Sequence, residues 1–259
     1  MTPGTDLTDT IERVRSAVVQ IVWTELAPPT ASWPLGTGFF VSDSAHVITA
    51  NHVAVRGEEL LRARHAKDPR VGVGLAYENA ADARGRFHVR PFEIVARDKA
   101  HDLALLKVNP NPFASLTNLE PIRLPAVASL SPKRPRDGVA IALSGYPLRK
   151  PVLVTTAGII ASSWAVEVQP GEDRPEIHDV YLADAVSNGG NSGGPVYRQN
   201  DGVVVGVLVA SEMEAAQLTD DEGNYVDADV FSNAGISVVT PSSYVVALLE
   251  ANAVEHRLA

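Results

Sequence analysis

One stretch limits what the rest of the chain can be: residues 184–195, which read DAVSNGGNSGGP. Four of its twelve residues are Gly and four are Ser or Asn. Glycine lets the backbone take positive φ and lets another molecule come close to the main chain. Ser192 stands among Gly189, Gly190, Asn191, Gly193 and Gly194. A serine held this way exposes its Oγ while nearby backbone N–H groups point into one small space. That is the geometry of a nucleophile beside an oxyanion hole. Gly-Ser clusters also make ordinary tight turns, so the reading depends on what else the chain carries.

Two further stretches decide it. Residues 36–53 read GTGFFVSDSAHVITANHV, and residues 99–108 read KAHDLALLKV. Together the three supply a histidine, an aspartate and a serine in the order His52, Asp102, Ser192, the chain order of the chymotrypsin-type triad. TANHV resembles the TAxH histidine motif, HDLALLKV the DLALL aspartate motif, and GNSGGP the serine motif. The chain resembles a chymotrypsin-fold, trypsin-like serine peptidase, closer to the bacterial HtrA/Deg-like branch than to digestive trypsins. The likeness runs from about Ile11 to Glu250.

The totals fit. At 259 residues, 45% apolar and 20% charged, the chain can bury a large core as one big domain or two small ones. A net charge of −9 argues against general nucleic-acid binding, which needs clustered Lys and Arg. With no cysteine there is no disulfide scaffold, thiolate zinc site or cysteine nucleophile, which fits a cytoplasmic home. The first residues lack the basic-then-apolar pattern of a secretory leader, and no run of about 18 apolar residues predicts a membrane span.

Along the chain, Thr8 or Asp9 is expected to cap a short helix through Val14. AVVQIVWTEL reads as a strand and APPTASWP as a loop. GTGFFVS and HVITANHV read as a hairpin turning at Ser42-Asp43-Ser44, with His46 opening its second strand. GEELLRARHAKDPR is a charged helix or surface loop, and ENAADARGRF an excursion between strands. His65 and His88 carry no metal-ligand spacing and are expected to be exposed. VRPFEIVARDKAHDLALLKV reads strand, turn, strand, with Asp98 a rival acid to Asp102 and His101 a neighbour of the triad. Residues 109–137 are rich in Pro and read as a linker, with Lys133-Arg134-Pro135-Arg136 a solvated basic patch. GVAIALSGYPL, VLVTTAGIIASSW, VYLADAV, VVVGVLVAS and NAGISVVT are strands, and EVQPGEDRPEIHDV a loop. The acids Asp220, Asp221, Glu222, Asp227 and Asp229 lie in a solvated loop without EF-hand spacing. TPSSYVVALLEAN closes the chain as a helix capped by Thr240 or Ser242, with Tyr244, Val245, Leu248 and Leu249 facing inward.

The resemblance implies an all-β fold of two six-stranded antiparallel barrels with a short N-terminal helix and a C-terminal helix. Residues 1–259 form one peptidase domain. Residues 15–118 build the barrel with His52 and Asp102, 119–137 link the barrels, and 138–259 build the barrel with Ser192. Ser192 Oγ is expected to attack the scissile carbonyl, His52 to shuttle its proton, and Asp102 to orient and stabilise His52. By the same resemblance the N–H groups of Gly190 and Ser192 form the oxyanion hole, worth roughly 3–4 kcal/mol per donor. No cofactor or metal is required. Val186 aligns with the position that is acidic in trypsin-like enzymes. With Leu208, Val209, Ala210 and Ser211 it predicts a pocket for a small or aliphatic P1 side chain, although Asp184 keeps a Lys or Arg preference open. Many trypsins have Asp before the serine to pair with a newly cleaved N-terminus, and Asn191 there argues against activation by cleavage. No aromatic precedes Trp23, which favours a monomer over the HtrA-like trimer. No PDZ-like segment follows, so an activating or recruiting protein partner is open. The expected activity is hydrolysis of peptide bonds in protein or peptide substrates. The alternative is a latent or idle peptidase-fold binding or regulatory module.

Overall fold

The computed structural model of the protein describes residues 6–25, 31–63, 69–79, 82–114, 126–149, 152–168, 176–215, 218–219, 225–226 and 231–259. The chain opens with helix α1 (Leu7–Arg15), which buries Thr10 and Val14. Its cap is Asp6, whose side chain accepts the Thr8 N–H at 3.4 Å, upstream of the Thr8 or Asp9 expected from sequence.

Runs of Val, Ile, Leu and Phe then supply six strands. These are β1 (Val18–Glu25), β2 (Ala31–Ser42), β3 (His46–Ala50), β4 (Pro69–Asn79), β5 (Asp82–Asp98) and β6 (Leu103–Val108). They close into a barrel in the order β1-β2-β3-β6-β5-β4. The expected hairpin is β2 and β3. Two expected loops are strand instead. Ala31–Pro34 extend β2, with Pro34 opposite Val22 at a register shift, where a residue lacking an N–H is tolerated. Residues 82–87 belong to β5, paired to β4. Helix α2 (Asn51–Ala63) follows β3 without a break.

The second half holds β7 (Ser129–Leu130), β8 (Ala140–Gly145), a 3₁₀ turn at Pro147–Arg149, β9 (Val154–Val168), β10 (Ile177–Asp184), β11 (Pro195–Arg198) and β12 (Val204–Ala215). A short hairpin of β13 (Leu218–Thr219) and β14 (Tyr225–Val226) precedes β15 (Phe231–Pro241), α3 (Ser242–Ala251) and β16 (Arg257–Leu258). The order β11-β8-β9-β10-β15-β12 is closed by pairing of β11 with β12, and β7 and β16 extend it beyond β12. This is the expected two-barrel, all-β architecture.

One apolar cluster spans both barrels: Phe39, Ile48 and Leu103 of the first pack with Leu130, Tyr197 and Val245 of the second half. On α3, Val245 and Leu249 are buried as expected. Its cap differs from expectation: Pro241 occupies the N-cap with no side-chain bond. Thr240 Oγ1 donates instead to His101 O at 2.8 Å, and Ser242 Oγ to Ser131 O. Arg134 of the basic patch is partly buried and donates to Ser163 O (2.9 Å) and to Asp179. The expectations for His65 and for Asp220, Asp221, Glu222, Asp227 and Asp229 lie outside the described residues, as does the His88 side chain. Among the described residues no helix is long and apolar enough to cross a membrane.

Burial of two tyrosines, Tyr146 in the cluster that spans both barrels and Tyr181 in a second one, has a pH consequence. It pushes the Tyr146 hydroxyl up to about 12, and raises Tyr181 as well. A tyrosine whose folded pKa is raised contributes its full stability below the ordinary value near 10 and loses it as pH rises through the folded value. The melting temperature should therefore hold to about pH 10 and fall between about pH 10 and 12. Tyr146 accounts for about 3 kcal/mol of that loss. Thermal melts across this range, with Tyr146→Phe showing a shallower fall, check it.

Candidate functional site

The barrels meet where α2 begins. β3 ends at Ala50, so Asn51 and His52 open the helix at the barrel rim. Asp102 sits in the turn before β6 and is fully buried. Its φ is +52°, a left-handed conformation that Asp tolerates better than most residues. That turn lets one residue hold the helix start at three points. Asp102 O accepts the Asn51 N–H at 2.9 Å. Asp102 Oδ1 accepts the His52 backbone N–H at 2.9 Å, and Oδ2 lies 2.6 Å from His52 Nδ1. An ionised carboxylate only accepts, so the imidazole proton belongs on Nδ1 and the Nε2 lone pair faces outward. Arg97 braces the same helix, donating to Asn51 Oδ1 at 3.0 Å and pairing with Glu58 at 2.8 Å.

The rival acid has another partner. Asp98 Oδ2 lies 2.6 Å from His101 Nδ1, and Asp98 Oδ1 accepts the His101 N–H at 3.2 Å. His101 stacks on Tyr244 at 3.4 Å between ring centroids. Tyr244 donates to Asp179 at 2.5 Å, and this bond, before burial, pushes its hydroxyl up to about 12.

The serine loop runs from β10 to β11 and is tied on most of its peptide units. Gly189 O accepts the Leu148 N–H at 2.8 Å. Gly190 O accepts Thr37 Oγ1 at 2.7 Å, and the Asn191 N–H donates to Asn188 O at 3.0 Å. Asn191 O accepts from Gly194 at 2.9 Å. Ser192 O accepts the Thr37 N–H at 2.9 Å, and the Gly193 N–H donates to Leu208 O at 2.7 Å. None of these peptides is cis, so a carbonyl tied one way turns the next residue's N–H the other way: Gly189 O on Leu148 sets the Gly190 N–H, and Asn191 O on Gly194 sets the Ser192 N–H. The N–H groups of Gly190 and Ser192, the pair expected to form the oxyanion hole, make no backbone hydrogen bond among the described residues, and neither do those of Val186, Ser187, Asn188 and Gly189 in the same loop. Gly190 has φ +104° and Gly193 φ +86°. A Cβ on Gly193 would meet Thr37 O at 2.2 Å, Thr49 Oγ1 at 2.3 Å and Ala50 N at 2.8 Å. That contact sets Gly193 against the end of β3, from which α2 and His52 continue. Among the described residues, no hydrogen bond joins Ser192 Oγ to His52 Nε2. Such bonds often tighten only around bound substrate.

The expected pocket residues separate. Leu208 and Val209 are buried in the core, whereas Val186 is exposed and Ala210 and Ser211 are half-buried. Behind them lies a hydroxyl cluster the sequence reading missed. Ser187 Oγ is 2.7 Å from Ser211 Oγ and 2.8 Å from Ser237 Oγ. Ser237 donates to Ala185 O at 2.7 Å, and Asn233 donates to Ser187 O. Thr37, Leu148 and Arg97 were also missed. Only Thr37 had a local signal, its place between two glycines in GTGFF.

Two β-barrels, with a buried Asp–His pair beside a glycine-rich serine loop, define a chymotrypsin-like serine peptidase. The Trypsin-like peptidase domain family matches residues 36–207. The chain belongs to that family, a class of serine endopeptidases. It is 28% identical over 207 residues to serine protease HTRA1A of Danio rerio, covering 78% of this chain and 36% of that protein. It is 29% identical over 175 residues to the chloroplastic protease Do-like 1 of Arabidopsis thaliana, covering 68% and 33%. The chain thus spans about a third of the length of these relatives. Among solved structures, HtrA-type protease AlgW with decapeptide aligns with a TM-score of 0.60 at 19% identity, covering 96% of this chain and 68% of that one. The active form of the Rv3671c protease from M. tuberculosis aligns at 0.56 and 19% identity, covering 96% and 86%. These likenesses bear on the fold.

The Gly193 contacts yield a prediction. Gly193→Ala puts a Cβ against two backbone atoms and the buried Thr49 hydroxyl at positive φ. It should cost at least about 2–3 kcal/mol, read as a lower midpoint in urea unfolding.

Proposed function

We propose that the chain cleaves peptide bonds in protein or peptide substrates through an acyl-enzyme formed on Ser192. The observation that carries this reading is the fully buried Asp102 carboxylate with its two oxygens on the N–H and Nδ1 of His52. Ser192 Oγ attacks the carbonyl carbon while His52 Nε2 takes its proton. The tetrahedral oxyanion is held by the N–H groups of Gly190 and Ser192. His52 then gives its proton to the leaving amine, and water repeats the sequence to release the acid and free Ser192. Asp102 keeps the imidazole in the Nδ1–H tautomer and balances its charge in the transition state.

The P1 residue is small or aliphatic. Val186 stands where a cation-selective relative has an acid. Ser211 and Ser237 both bond to Ser187, and these neutral hydroxyls present no charge to pair with Lys or Arg.

A fluorophosphonate probe tests the reading. Wild-type protein should label and Ser192→Ala should not. Absence of labelling in folded wild-type protein would favour an idle module of the same fold. Asp102→Asn should keep the fold and lower kcat by about 10⁴-fold near neutral pH, because the wrong tautomer then faces Ser192. A steady-state assay on peptides with Ala or Val at P1 measures this.

A further inference from the structure

The ties on the serine loop are not alike. Those on Gly189 O, Asn191 O, Ser192 O, and the Asn191 and Gly193 N–H groups are all backbone to backbone. The bond on Gly190 O comes from a side chain, that of Thr37. Thr37 lies on β2 in the first barrel and is fully buried, while the loop belongs to the second. Its hydroxyl is used on both sides: Oγ1 donates to Gly190 O at 2.7 Å and accepts the Tyr146 N–H at 3.0 Å. Its backbone N–H holds Ser192 O at 2.9 Å, and its carbonyl accepts Thr49 Oγ1 at 2.6 Å. One residue thus grips the loop at the two residues whose amides would meet the oxyanion.

We propose that Thr37 is a positioning residue for the oxyanion hole: its hydroxyl fixes the Gly190 carbonyl and with it the Gly190–Asn191 peptide plane, which lies between the two planes that carry the Gly190 and Ser192 N–H groups and keeps those two groups converging on the reacting carbonyl. The inference rests on the peptidase reading above. Gly189 and Gly190 lack side chains, so the peptide planes around them turn easily when unheld. With Gly190 O fixed, the plane after Gly190 cannot rotate. With Gly189 O on Leu148, the plane before it is set as well. Without the hydroxyl, Gly190 O and the Tyr146 N–H lose their shared partner, and the plane keeps only the Asn191 N–H bond to Asn188 O. Thr37 touches neither substrate nor the reacting atoms, so its effect falls on the transition state and not on ground-state binding.

The test compares wild type, Thr37→Val and Thr37→Ser. Val keeps the branched shape without the hydroxyl, and Ser keeps the hydroxyl without the methyl. Fluorophosphonate labelling rates and peptide kcat and KM are measured on proteins whose near-ultraviolet circular dichroism matches wild type. The expected result is a loss of about 10- to 10³-fold in labelling rate and kcat for Thr37→Val, with KM within about 2-fold. Thr37→Ser should stay within about 3-fold of wild type. Should Thr37→Val not fold, Thr37→Ala, assayed well below its own melting temperature, should show the same loss. Folded hydroxyl-free protein that matches wild type would overturn the proposal, as would a Ser variant as slow as the Val variant. Wild-type protein that neither labels nor cleaves would remove the peptidase reading and this inference with it. Active wild type with an unaffected Val variant would remove only the role of Thr37.

Discussion

A carboxylate with no solvent access must be partnered, and Asp102 is the point from which the first barrel's part of the site is built. Burying an unpaired charge costs several kcal/mol, and an imperfectly paired one is little better. Asp102 meets the demand with both carboxylate oxygens and its own carbonyl, all turned on the first two residues of α2. The helix start has orphan N–H groups and a positive dipole end, so it suits an acid. A single charge therefore caps a helix, orients an imidazole and sets its tautomer. The left-handed backbone at Asp102 is the local cost of aiming it there.

The seam between the barrels is fastened twice. Near the serine, Thr37 reaches from β2 to the loop after β10. Behind Asp102, His101 stacks on Tyr244 of α3, and Tyr244 leads through Asp179 to Arg134. Thr240 also holds His101 O. His101 immediately precedes Asp102, so the second fastening fixes the turn that carries the acid. Groups on both barrels have to lie within a few tenths of an ångström of a working geometry, and two separated fastenings resist rotation where one would act as a hinge.

The pairing of His52 with Asp102 and the two-barrel fold were readable because the signals are local: short motifs in chain order, and strands dense in Val and Ile. What escaped was set by partners far along the chain. Thr37 answers to Gly190 and Ser187 to Ser237, separations that no periodicity reports. Asp98 seemed to compete with Asp102 until its bond to His101 removed it. Leu208 and Val209 sit in the segment expected to line the pocket. The strand buries both in the core, because bulges shift the register of β12 against β15 between Leu208 and Ala210. Pro34 misled in the other direction, since a proline at a bulge costs the ladder nothing.

The serine loop is the costly part of the molecule. Gly190 and Gly193 have positive φ, and so does Leu148, which supplies the tie on Gly189. Asn191 Oδ1 is buried with no partner among the described residues, a deficit of about 1–3 kcal/mol. That deficit explains why an amide suits this position better than an acid. A buried, unpaired carboxylate would cost far more, and relatives with an acid there need a cationic chain end to meet it. With Asn191 the loop needs no incoming charge. Its shape follows from backbone bonds to Leu148, Gly194 and Leu208 and from the grip of Thr37, with no cationic chain end among these ties.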